Sequence, residues 1–125
     1  MSKKKKGNKD ELRNSLGEQA VILQASGRLE EAMELRKKEQ KICEEMGNKD
    51  GLAISLGNQA NILFDSGRLE EAMQLHKKEQ KICEELDNKD GLSTSLGNQA
   101  NILYAWGRLE EAMQLHKKEQ KICEE

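Results

Sequence analysis

A chain of 125 residues with a net charge of −2 and a mean hydropathy of −0.89 is too polar to be built of membrane spans and too short for several domains. Hydrophobic and charged residues each make up 35%, proline is absent, and there is one Phe, one Tyr and one Trp. Such a composition excludes an aromatic-rich core and suits long, solvent-coated helices packed in pairs.

Residues 1–6 come first and read as a disordered basic tail. Lys3 to Lys6 supply four positive charges, so residues 7–125 carry −6 and form a mildly acidic body. A lysine run can serve as a nuclear address or nucleic-acid arm, but at a terminus it reads more simply as a solvated tail, and no nucleic-acid partner is expected. No apolar secretory segment opens the chain. One thiol recurs in each repeat, Cys43, Cys83 and Cys123. Equivalent atoms of stacked helix pairs lie about 10 Å apart, too far for disulfides, so the thiols are expected to be reduced and the location cytoplasmic.

The rest of the chain is one sentence written three times with a 40-residue period, over 7–46, 47–86 and 87–125. Gly-Arg-Leu-Glu-Glu-Ala-Met and Lys-Lys-Glu-Gln-Lys-Ile-Cys-Glu-Glu occur in register in all three copies. A period of this size marks stacked supersecondary units that share a core with their neighbours, an architecture of binding surfaces more than of catalysts.

In the second unit, Leu52, Leu56, Gln59, Ala60 and Leu63 make a helical stripe that predicts a first helix. Asn48 and Asp50 suit its start and Gly67 its end. From Arg68 to Leu86 the stripe is Leu69, Ala72, Leu75, Glu79, Ile82, Cys83 and Leu86, which predicts a second helix with a charged outer face. Glu70 and Glu71 suit its dipole; Glu84 and Glu85 oppose it. Short Asn-Lys-Asp and Ser-Gly connections join antiparallel neighbours, and six helices are expected.

Ala60-Asn61-Ile62-Leu63 followed by Gly67-Arg68-Leu69-Glu70-Glu71-Ala72 resembles the core pattern of a tetratricopeptide repeat (TPR), and the match recurs in every unit. The resemblance implies an all-α solenoid of three helix-turn-helix repeats over 7–125, with six antiparallel helices in a right-handed superhelical stack. It also implies a non-catalytic scaffold that binds a protein or peptide on the concave face formed by the first helices. The 40-residue period is similar to long-repeat members of the family.

Residues 54, 57, 61, 64 and 65 of the first helix, and their counterparts in the other units, lie opposite its stripe. The second and third units differ at six aligned positions, five of them between residues 53 and 66, including Ile54 against Thr94, Phe64 against Tyr104 and Asp65 against Ala105. Gln24, Phe64 and Tyr104 share one place, which therefore is no dedicated core position. They either line a groove or pad the contact between first helices. Asn58, Asn61, Asn98 and Asn101 align one turn apart, and an amide offers an extended backbone both donor and acceptor. By resemblance these four form a peptide-holding ladder, with Phe64, Asp65 and Tyr104 beside it; Glu18 and Val21 break it in the first unit. No groove lysine or arginine is placed to clamp a terminal carboxylate.

Gly17, Gly57 and Gly97 sit mid-helix at a cost of about 1 kcal/mol each, which predicts either close approach of a neighbouring first helix or a notch for a ligand. Gln59 and Glu79 fall inside apolar stripes, as do Gln19 with Glu39 and Gln99 with Glu119, so a glutamine–glutamate hydrogen bond within each unit is expected. His76, Glu79 and Cys83 share a helix face, as do His116, Glu119 and Cys123. Arg36 replaces the histidine in the first unit, so packing accounts for the set better than zinc, and neither metal nor cofactor is expected. A thiol near a histidine, without a cleft or oxyanion arrangement, supports no enzyme.

The third unit stops after a second helix like the internal ones. Tyr104 and Trp106 stand near that end, Trp106 replacing Ser26 and Ser66. An exposed aromatic beside an uncapped end predicts a homo-oligomer, a dimer through open ends, as the alternative to the scaffold reading. Near-identity of units two and three also fits a consensus-like, engineered repeat.

Overall fold

The computed structural model describes the main chain of residues 2–125 and the side chains from Gly7 onward. The expected lysine tail therefore lies outside the fully described residues. Six helices follow in order: α1 (Ser2–Ala25), α2 (Leu29–Met46), α3 (Lys49–Asp65), α4 (Leu69–Glu85), α5 (Lys89–Ala105) and α6 (Leu109–Glu124). No strand occurs among the described residues. The extensive contacts join helices consecutive in the chain, α1 with α2 through to α5 with α6, which is the packing of a solenoid.

The turns explain the periodicity. Gly27, Gly67 and Gly107 adopt φ of 78°, 78° and 79°, a left-handed conformation that ends the first helix of each unit. Around Gly67, the Arg68 amide donates to the Leu63 carbonyl at 2.8 Å and the Gly67 amide to that of Phe64 at 3.0 Å. Between units, Asn48 and Asn88 cap α3 and α5 by accepting from the Gly51 and Gly91 amides at 2.9 and 3.0 Å. Asn8 makes no such start, because α1 already begins at Ser2.

Each unit buries one alanine on each of its two helices, Ala20 and Ala32, Ala60 and Ala72, and Ala100 and Ala112, all 4% exposed or less. Around them Leu63, Met73, Ile102 and Leu103 continue one interior from α3 to α6. Burial is wider than the single stripes expected. Met73 and His76 of α4 are buried although they lie off its stripe, because α4 packs against α3 on one side and α5 on the other.

The acidic last turns also find a place. Glu45, Glu85 and Glu125 meet Lys9, Lys49 and Lys89 of the paired first helix at 3.5, 3.7 and 3.5 Å. Antiparallel pairing brings the Glu85 and Glu125 carboxylates to the start of the neighbouring helix, whose amino-terminal dipole favours negative charge, whereas Glu45 meets α1 well inside that helix. Being exposed, each pair contributes little by itself.

Candidate functional site

The first helices present their outward faces side by side, and register across them is set from beneath. Ser95 Oγ donates to the carbonyl of His76 at 2.8 Å, and Gln99 Nε2 donates to Gln80 Oε1 at 2.9 Å. One unit earlier, Ser55 donates to the Arg36 carbonyl at 3.0 Å and Gln59 to Gln40 Oε1 at 2.7 Å. A hydroxyl on a backbone carbonyl fixes each first helix on the preceding second helix, so the side chains above it recur at a set spacing.

That register brings Asn61 and Phe64 of α3 together with Asn98 and Asn101 of α5 around a cleft of about 120 Å³, floored by His76 and Ile102. Asn61 and Asn101 are exposed, Asn58 and Asn98 half-buried, and Phe64 is 36% exposed at the rim. Asn58 and Tyr104 do not line this cleft. Tyr104 is 70% exposed beyond it, while Asp65 accepts from Gln24 Nε2 of α1 at 3.2 Å. Ile54 lies on the outward face at 62% exposure. Trp106 sits in the α5–α6 turn with the Arg108 guanidinium 5.3 Å from its ring centre, a cation–π contact.

His76 is the cleft residue that its sequence context did not reveal. It is 1% exposed and its Nδ1 lies 2.9 Å from Glu79 Oε1. The expected Gln59–Glu79 bond does not form. Glutamine reaches back to the preceding unit and the glutamate turns to its own helix, where Arg36 with Glu39, at 3.2 Å, repeats the arrangement. A charged or ring donor three residues away is nearer than an amide across the helix pair, and it satisfies the carboxylate better.

The mid-helix glycines have the same explanation. A Cβ on Gly57 would stand 2.9 Å from Glu79 Cδ, and one on Gly97 3.3 Å from Glu119 Cδ. The notch is filled by a glutamate of the same unit. It is neither a close approach of another first helix nor a ligand site, and Gly57 is buried instead of lying on the outward face.

Cys43 and Cys83 are buried and unpaired, Cys123 exposed and unpaired. Burial pushes the Cys43 and Cys83 thiols above the usual thiol value, with Glu39 and Glu79 adding in the same direction. Among the described residues no group of three His, Cys, Asp or Glu side chains could hold a metal ion, and no helix is long and apolar enough to cross a membrane.

No curated protein matches the chain in sequence. Among solved structures it is similar to the TPR domain of Arabidopsis FLU, with a TM-score of 0.84, 17% identity, and coverage of 93% of this chain and 98% of that one. It is similar also to BtubC (BKLC) from P. vanneervenii, with a TM-score of 0.81, 21% identity, and coverage of 91% and 46%. A putative kinesin light chain of Podosopora anserina, with nearly identical TPR-like repeats, gives a TM-score of 0.74, 24% identity, and coverage of 88% and 54%. The chain thus spans about half the length of the last two, and at these identities the likeness is one of fold. The tetratricopeptide repeat family model matches residues 11–85 and again 51–125, nearly the whole length. The chain belongs to the tetratricopeptide repeat family.

Proposed function

We propose that this protein is a non-catalytic scaffold that holds an extended segment of a protein partner across its first-helix face. The observation that carries the reading is the convergence of Asn61, Asn98 and Asn101 with Phe64 on one cleft. Amides spaced along two parallel helices can donate to and accept from successive peptide groups, and the aromatic rim takes an apolar side chain. Asn58, Asp65 and Tyr104 extend the same face beyond the cleft. Family membership supports a protein-interaction role.

A peptide array probed with native protein and with the Asn61→Ala, Asn101→Ala double variant tests it. Both residues are exposed, so the variant keeps the fold, which circular dichroism checks. Loss of capture by the variant is the expected result. Equal capture by both proteins overturns the assignment of the cleft.

A further inference from the structure

The floor of the cleft between α3 and α5 carries a ring nitrogen that nothing in the protein pairs. His76 is 1% exposed, and its Nδ1 lies 2.9 Å from Glu79 Oε1. A carboxylate at that distance has to be met by an N–H, so the neutral ring carries its proton on Nδ1 and its lone pair on Nε2. Nε2 makes no hydrogen bond with any described residue, since the ring's one bond is the Nδ1 contact. The side-chain nitrogens sealed from solvent without a partner are, among the described residues, Arg13 Nε and Arg36 Nε. His76 Nε2 is not one of them, so it is unpaired without being sealed.

The space above it is small. About 120 Å³ is room for on the order of four water-sized groups at about 30 Å³ each, which admits a threonine side chain and excludes an aromatic ring or a lysine stem. Ile102 and Phe64 give the cleft apolar walls beside its amides. A small side chain with a hydroxyl for the ring and a methyl for Ile102 matches both. An anion would instead meet a lone pair backed by the Glu79 carboxylate, which repels it.

We propose that Nε2 of His76 opens into the cleft and accepts a hydrogen bond from a hydroxyl side chain, threonine before serine, of the segment held there. This rests on the peptide-holding reading and assigns one place in that segment. Asn61, Asn98 and Asn101 hold its backbone, while the floor selects the side chain. The first unit supplies the contrast. Arg36 takes the place of His76, is 6% exposed and pairs with Glu39 at 3.2 Å. The fold therefore accepts an arginine at this place, and a guanidinium can only donate.

A positional library of short unstructured peptides, with each amino acid in turn at every place, is probed with native protein and with His76→Arg. Native capture should peak at threonine, then serine, at one place. Replacing that threonine by valine in the best-captured peptide should weaken binding about 3- to 10-fold, the worth of one hydrogen bond. His76→Arg, once circular dichroism shows it folded, should move the preference at that place to aspartate. The valine comparison needs native protein alone, so it decides even if the variant does not fold. Capture that is lost in the Asn61→Ala, Asn101→Ala variant but shows no hydroxyl preference, or keeps that preference in folded His76→Arg, overturns this inference and leaves the cleft reading standing. A native preference for aspartate or glutamate overturns it too, since Nε2 would then have to donate. Capture that the asparagine variant leaves unchanged, or no capture at all, removes both.

Discussion

The carboxylate of Glu79 occupies the gap left by the absent side chain of Gly57, held there by His76 Nδ1 at 2.9 Å. A mid-helix glycine is thereby tied to a polar residue inside an apolar stripe. Each would be a defect alone; together they let a buried acid keep its partner.

Gly57→Ala is therefore expected to destabilise the protein. The propensity gain of about 1 kcal/mol is outweighed by the displaced carboxylate, and a net loss of roughly 1–2 kcal/mol is expected. Urea unfolding measures it, and a neutral or stabilised variant would show that Glu79 moves aside freely.

The His76–Glu79 contact can be tested from the other side. His76→Leu leaves a buried acid without its donor and should cost about 2–3 kcal/mol, whereas His76→Arg, which copies Arg36 with Glu39, should cost little. Equal losses for both variants would mean that ring packing, and not the donor, matters.

Asp87 adopts φ of 54° where the second unit has Gly47 at 66°. A side chain in this region carries a penalty of about 1–2 kcal/mol, less for aspartate than for most residues. Asp87→Gly should raise stability by roughly 0.5 kcal/mol after the greater freedom of unfolded glycine is counted. Thermal melts report the sign; a lowered melting temperature would point to a role for the carboxylate.

Cys43 and Cys83 bear on alkaline stability. Their folded thiols hold protons to higher pH than the unfolded chain, which releases them from about 8.5 upward. Above that value the folded state binds more protons, so this contribution is complete below it and is lost as pH rises. Denaturant melts between about pH 8 and 10 should show a fall that is shallower in the Cys43→Ala, Cys83→Ala variant. At neutral pH a thiol reagent should modify Cys123 rapidly and the buried pair slowly.

Much of this was legible from residue order. The 40-residue period, the turn glycines 27, 67 and 107, the asparagine caps 48 and 88, and the buried alanines of each helix pair follow from local rules about backbone freedom, capping and spacing. Side-chain partners were another matter. Gln59 and Glu79 both needed a hydrogen bond, and the expectation joined them; each had a nearer partner, Gln40 across the junction and His76 on its own helix. Likewise Met73 and His76 lay off the stripe that a single pairing predicts, and only a second packing face explains their burial.

The residue order by itself determined six amphipathic helices and, apart from the start of α1 at Ser2, where they begin and end, because those features depend on contacts a few residues apart. Tertiary packing decided which polar groups meet, which glycines admit a neighbour, and that Asn61, Asn98, Asn101 and Phe64 face one cleft above His76. These relationships arise between helices about 20–40 positions apart, where distance and burial select among chemically equivalent partners that periodicity cannot tell apart.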